Sequence, residues 1–181
     1  NGRLIGPAAF IGALAESPHA SEVGAWILRT ACAEASKLRR SGHPSMRIAV
    51  NLFPTQFNDP AFAGQVHKVL SENDLPAEAL QLEITETIAL DNAAAAVTQL
   101  RRLHEMGVGL ALDDFGTGYA SLSFLSEVPL THIKIDQSFV RGLPGNRKLA
   151  AIVEALIKMA HGLGLEVIAE GVETQAQAEY L

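Results

Sequence analysis

Seven polar residues hold the chemical potential of this sequence. Asn51, Glu83, Asp113, Asp114, Lys134, Asp136 and Glu170 each end or interrupt a short apolar run, and they recur at intervals of about 23–34 residues. That interval is the length of a strand, a helix and two turns. In a parallel (β/α) barrel the C-terminal strand ends converge on one mouth, so all seven are expected to face one cavity. Several carboxylates in one cavity repel one another, and burying them uncompensated is costly. Divalent cations are the simplest remedy. An oxygen-rich set with an Asn carbonyl and no paired Cys or His suits Mg²⁺ or Mn²⁺ better than structural zinc. The adjacent pair Asp113-Asp114 suits two metals, one of the acids bridging. Two metals roughly 3.5–4 Å apart are the usual apparatus of phosphodiester cleavage. A lysine among them can hold the attacking water or a phosphate oxygen.

The elements that must position these residues follow from patterning. Residues 7–16 and a segment starting near Ser21 read as helices, the second with Val23, Trp26, Ile27 and Ala31 on its apolar stripe and a stop at Gly42. Trp26 and Cys32 read as core or helix-packing residues. From there strands and helices alternate. Strands are expected at 47–52, 80–85, 108–112, 132–135 and 165–169, each read as a mostly continuous apolar run, as in sheets covered on both faces. Helices are expected to open at Asp59-Pro60, Asp91, Asn146 and Thr174, with a short one at 121–126.

Composition narrows the function classes. The chain has 181 residues, 48% hydrophobic and 19% charged, enough for one domain with a real core. The net charge of −6 offers no basic face for polymeric DNA or RNA. One cysteine, Cys32, excludes an intrachain disulfide and a Cys-based zinc site. The six histidines (19, 43, 67, 104, 132, 161) lack ligand spacing. Asp114-Phe115-Gly116 also spells the kinase metal motif, but no glycine-rich nucleotide loop or His-Arg-Asp loop accompanies it. No apolar run is long enough to span a bilayer, and the default location is the cytoplasm, with a parent protein free to be membrane-anchored.

Five segments in order resemble the EAL-domain family, the phosphodiesterases that hydrolyse cyclic di-GMP. They are Ala49-Val50-Asn51-Leu52, Leu82-Glu83-Ile84-Thr85-Glu86, Asp113 through Tyr119, Lys134-Ile135-Asp136 and Ala169 through Thr174; Phe10-Ile11 with Ala15-Glu16 adds a weaker match. The resemblance covers essentially the whole chain, residues 1–181, as one EAL phosphodiesterase domain truncated at both ends. It implies a modified (β/α)8 TIM-type barrel, about five of whose eight strands lie in this chain. The family's name-giving glutamate, a metal ligand, is expected upstream of residue 1. By the resemblance, Asn51, Glu83 and Asp113 are metal ligands, and Asp114 and Glu170 are second-metal or general-base positions. Lys134 orients the nucleophilic water, with Asp136 in the same site. Glu86, Glu173, Gly116 and Gly118 support the loop after Asp114. Ala120 and Phe53 stand where the family more often has Ser.

The implied activity is Mg²⁺- or Mn²⁺-dependent hydrolysis of cyclic di-GMP to linear pGpG, in a homodimer, with GGDEF or sensory domains fused elsewhere in the parent. The alternative is a catalytically inactive receptor or protein-interaction module of the same fold. A third reading, an unrelated Mg²⁺ barrel enzyme, is disfavoured by the Asp-Asp pair running into a glycine loop.

Overall fold

The computed structural model describes residues 5–85, 93–116, 125 and 127–181. Its frame is one five-stranded parallel sheet in the order β1-β2-β3-β4-β5, so each strand lies beside the next in sequence. The strands are β1 (Ile48–Asn51), β2 (Leu80–Thr85), β3 (Gly109–Phe115), β4 (His132–Ile135) and β5 (Glu166–Ala169). Sequential parallel neighbours joined by helices are the local geometry of a (β/α) barrel, here with five strands among the described residues.

The strands are not continuous apolar runs, although β4 throughout and the middles of β2 and β3 are buried on both faces. In register, Val50, Leu82 and Leu110 share one face of the sheet, and Leu112 and Ile133 pair on that same face. The opposite face carries Asn51, Glu83 and Lys134, with His132 paired to Glu166 towards the strand starts. The pattern is therefore period two, apolar outwards under the helices and polar inwards. Short strands with alanine at inward positions, such as Ala49 and Ala111, disguise that alternation in the sequence.

The helices are α1 (Ile11–Ala15), α2 (Ala20–Arg40), α3 (Pro54–Phe57), α4 (Phe62–Glu72), α5 (Ala93–Glu105), α6 (Gln137–Val140), α7 (Arg147–Gly162) and α8 (Gln175–Tyr180). A main core joins Leu28 and Cys32 of α2, Phe62 and Val66 of α4 and Leu100 and Leu103 of α5 to the outward strand residues. A second cluster, Ile135, Val140, Leu143 and Val153, lies under α6 and α7.

Helix α2 differs from its sequence reading in two ways. It begins at Ala20, so Ser21 is inside it. The entry is instead closed by Ser17, whose Oγ accepts from the His19 N–H. Its buried line is Ala20, Gly24, Leu28, Cys32, Ala35 and Ser36; of the expected stripe, Ile27 and Ala31 are half-buried against the main core, Val23 is half-buried and Trp26 faces outwards. Trp26 is 59% exposed. Gly24 sits on the buried line because the Gln56 side chain of α3 fills the space a Cβ would need. Small residues thus decide which face packs, and hydrophobic periodicity alone points to the neighbouring shoulder. Gly42 ends α2 at φ +110, as the glycine stop predicts.

Elsewhere the boundaries shift by one to three residues, most at the end of β3, which runs on from 112 to Phe115 and takes in Asp113 and Asp114. Asp59-Pro60 forms a turn closed by Asp59 Oδ1 accepting from the Ala61 N–H, and α4 starts just after it. Asn146 and Thr174 cap α7 and α8 as expected: Asn146 Oδ1 accepts from the N–H groups of Lys148 and Leu149, and Thr174 Oγ1 accepts from that of Gln177. The expected cap at Asp91 and most of the helix at 121–126 lie outside the described residues. Among the described residues no helix is long and apolar enough to cross a membrane.

Candidate active site at the strand ends

The site is built on a lysine. Lys134, at the third position of β4, points inwards with its side chain only 10% exposed. Its Nζ lies 2.9 Å from Glu83 Oε2 of β2, 2.9 Å from Asp113 Oδ1 of β3 and 2.6 Å from Glu170 Oε1 just after β5. An ammonium has three protons, and each meets a carboxylate from a different strand. Burial alone would lower the Lys134 pKa. The hydrogen bonds to Glu170, Asp113 and Glu83 outweigh it and hold the ammonium above the ordinary lysine range.

Asp114 joins this group through an irregularity in β3. Successive strand residues normally face opposite ways. Here the pairing with β4 advances from Leu112↔Ile133 to Phe115↔Ile135, three residues against two. That is a β-bulge, and Asp114 adopts φ +54 within it. The Asp114 N–H donates to Asp113 Oδ1. The result brings one carboxylate oxygen each from Asp113, Asp114 and Glu170 within 4.8 Å of one another. Burial, reinforced by the charges of Asp113, Asp136 and Glu170, raises the Asp114 pKa above its usual value, with Lys134 opposing. One ammonium for four carboxylates leaves an unbalanced negative charge. The donor atoms are hard oxygens from short side chains, which fits a hard divalent cation such as Mg²⁺ or Mn²⁺.

The remaining sequence-predicted residues fall as follows. Asn51 ends β1 in register with Glu83, so it is the lateral neighbour of that carboxylate on the same face, and it is exposed. Asp136 is the N-cap of α6: its Oδ1 accepts from the Ser138 N–H at 2.9 Å, and the Ser138 hydroxyl, followed by that N–H, lowers its pKa. It stands close enough to Asp114 to raise that group's pKa but not in the contact ring of Lys134 among the described residues. Gly116 has φ +96 against the ring of Phe139. The Glu173 carboxylate is exposed, while its N–H donates to Gln177 Oε1 at 2.8 Å. Glu86 and Gly118 lie outside the described residues. The tripeptide Glu-Ala-Leu does occur in the chain, at Glu78–Leu80 and Glu154–Leu156. The first leads into the start of β2, at the end remote from Lys134. The second is on α7, where exposed Glu154 pairs with Lys158.

Three buried amides, Gln56, Gln99 and Gln177, are absent from the expectations, and two of them brace the turns around the site. Gln56 Oε1 accepts from the Phe53 N–H and fixes the turn after Asn51. Gln177 Oε1 accepts from the N–H groups of Glu173 and Thr174, and its Nε2 donates to Val140 O. The second was findable: Thr174-x-x-Gln177 has the spacing of a capping box.

An inward lysine collecting carboxylates from neighbouring strand ends defines the class, a TIM-type barrel with its polar centre at the C-terminal mouth. The family model for the EAL domain matches residues 1–181, and the chain belongs to that family. It is 38% identical over 178 residues to the cyclic di-GMP phosphodiesterase NbdA of Pseudomonas aeruginosa, covering 98% of this chain and 23% of that protein. It is also 38% identical to the bifunctional diguanylate cyclase/cyclic di-GMP phosphodiesterase MucR of the same organism, covering 98% and 26%. The chain thus spans about a quarter of the length of these curated relatives. Among solved structures, the MucR phosphodiesterase in complex with c-di-GMP superposes with a TM-score of 0.93 at 38% identity, over 100% of this chain and 73% of that one. The EAL domain of Mycobacterium smegmatis DcpA gives 0.84 at 42% identity, over 90% and 73%.

Proposed function

We propose that residues 1–181 are part of the catalytic domain of a cytoplasmic, metal-dependent phosphodiesterase that opens cyclic di-GMP to linear pGpG. The observation that carries the reading is Lys134 held by Glu83, Asp113 and Glu170 beside Asp114. Asn51, Glu83 and Asp113 are the residues to hold one cation, and Asp113, Asp114 and Glu170 a second. When bound, Mg²⁺ or Mn²⁺ supplies Lewis acidity that activates water and offsets phosphate charge.

The chain's own residues do the rest. Lys134 turns the N–H that it otherwise gives to Glu170 towards the incoming water and orients it against phosphorus, while Glu83 and Asp113 keep the other two. Glu170, the most open of the three carboxylates on Lys134 at 33% exposure, receives the proton. The new P–O bond forms as the P–O3′ bond breaks, and the departing 3′ oxygen takes a proton from solvent water to leave as a hydroxyl. The product is a linear dinucleotide that keeps the phosphate on its 5′ oxygen. Asp136 supports the site from its cap on α6 rather than by receiving a proton, since its Oδ1 is already engaged by Ser138. Glu86, Glu173, Gly116 and Gly118 keep the role of shaping the loop beyond Asp114. Homodimerisation and fusion to GGDEF or sensory domains belong to the same reading.

The test is hydrolysis by the full-length parent with Mn²⁺ or Mg²⁺, a chelator control and chromatography of pGpG. Metal-dependent pGpG supports the enzyme. Saturable binding of cyclic di-GMP without product supports the receptor alternative. Absence of binding defeats both.

A further inference from the structure

The four-residue helix α6 touches both acidic loops of the site at once. On one side, a Cβ at Gly116 would stand 3.0 Å from Cε2 and Cζ of Phe139, so the β3 exit rests on that ring with its backbone. Gly116 follows Asp114 by two residues and has φ +96. On the other side, a Cβ at Gly171 would stand 2.7 Å from Gln137 Cβ, so the β5 exit rests on the first turn of α6. Gly171 follows Glu170 directly and has φ +66. A Cβ at Gly171 would force Gln137 to shift, one at Gly116 would press the Phe139 ring aside by a few tenths of an ångström, and both backbones use a conformation that favours glycine.

The helix itself is pinned. Asp136 caps its start, and Val140 O at its end accepts from buried Gln177, which also holds the N–H groups of Glu173 and Thr174. Phe139 packs against the second apolar cluster, formed with Val153 of α7. Two loops that carry the oxygens of one cluster therefore share a single fixed spacer.

We infer that Phe139 and Gln137 are positioning residues: α6 acts as a spacer that sets the separation of Asp114 from Glu170, and with it the affinity of the second cation site. The inference rests on the two-cation reading above. It assigns to α6 no contact with substrate. Supports of metal-binding carboxylates typically change metal affinity or activity about 10- to 100-fold when removed.

The experiment uses the full-length parent and its Phe139→Ala, Gly171→Ala and double variants, with Phe139→Leu as the conservative control. Mn²⁺ dependence of pGpG formation, KM for cyclic di-GMP and Mn²⁺ binding by calorimetry are measured for each. The expected result is that each single variant needs at least about tenfold more Mn²⁺ for half-maximal rate. KM is expected to stay within about twofold. The double variant is expected to lose less than the product of the single losses, because both changes act through one spacer. Phe139→Leu recovers most of the Mn²⁺ affinity. An unchanged Mn²⁺ requirement, or losses that multiply independently, overturns the inference. So does a loss that follows only the unfolded fraction measured by circular dichroism. If the unsubstituted parent binds Mn²⁺ but makes no pGpG, the enzymatic reading fails and calorimetry still decides the spacer. If it binds no Mn²⁺, both fall.

Discussion

Lys134 and Asp114 both make the fold less stable as pH rises, in different pH ranges, and each gives a measurement. The Lys134 pKa is raised on folding. Its contribution to stability is therefore fully present below the ordinary lysine value and is lost as pH rises through the folded value. Lys134→Met leaves three carboxylates without their cation. In metal-free protein at pH 7 it should cost about 3 kcal/mol or more, read by urea unfolding, since removing one member of a buried ion network is far costlier than removing a surface pair. The Asp114 pKa is also raised, but for an acid that is a penalty. The penalty is absent below the ordinary carboxylate range and present above the folded value. Asp114→Asn should thus raise the metal-free melting temperature at pH 7 while abolishing pGpG formation. Asn tolerates the left-handed backbone at φ +54, so strain does not confuse the result. Added Mn²⁺ should raise the unsubstituted protein's melting temperature more at pH 7 than at pH 4. Asp113→Ala, which removes an oxygen common to the lysine ring and the acidic trio, should eliminate turnover in the intact parent. Unchanged turnover would sink the assignment.

Among the elements, caps and small residues carry the testable energetics. Asn146→Ala removes an acceptor from two N–H groups of α7 and should cost about 1 kcal/mol in unfolding experiments. Gly24→Ala should cost about 1–3 kcal/mol by driving α2 against Gln56. Activity should fall with it, because Gln56 fixes the turn that follows Asn51. This level also shows what was readable. β2 and β4 lie where the apolar runs put them, and Asn146 and Thr174 cap as their side chains suggest. The face of α2 was misread because Gly24 and Ala35 pack by being small, which a hydrophobicity pattern does not register. The bulge in β3 was invisible for another reason: it is a property of pairing with β4, and neither strand's sequence records it alone.

The whole molecule explains why the grouping of Glu83, Asp113, Lys134 and Glu170 was legible before any coordinates. A barrel repeats one unit, so polar residues spaced by that unit land on one rim, whatever the helices between them do. Their mutual geometry was not legible, because it depends on side-chain reach across three strands. Trp26, the single tryptophan, gives a global control. At 59% exposure on the outer side of α2, it should emit as a water-exposed indole in this chain and be readily quenched by acrylamide, a result that a buried Trp26 would contradict.

Many small metal sites are unfolded until their ion arrives, because the ligands repel one another without it. The lysine at the centre of this rim offsets part of that repulsion. It acts as a resident counter-ion, so the sheet can form while the cations are absent. Synthesis of the protein and supply of its metal are then separate events.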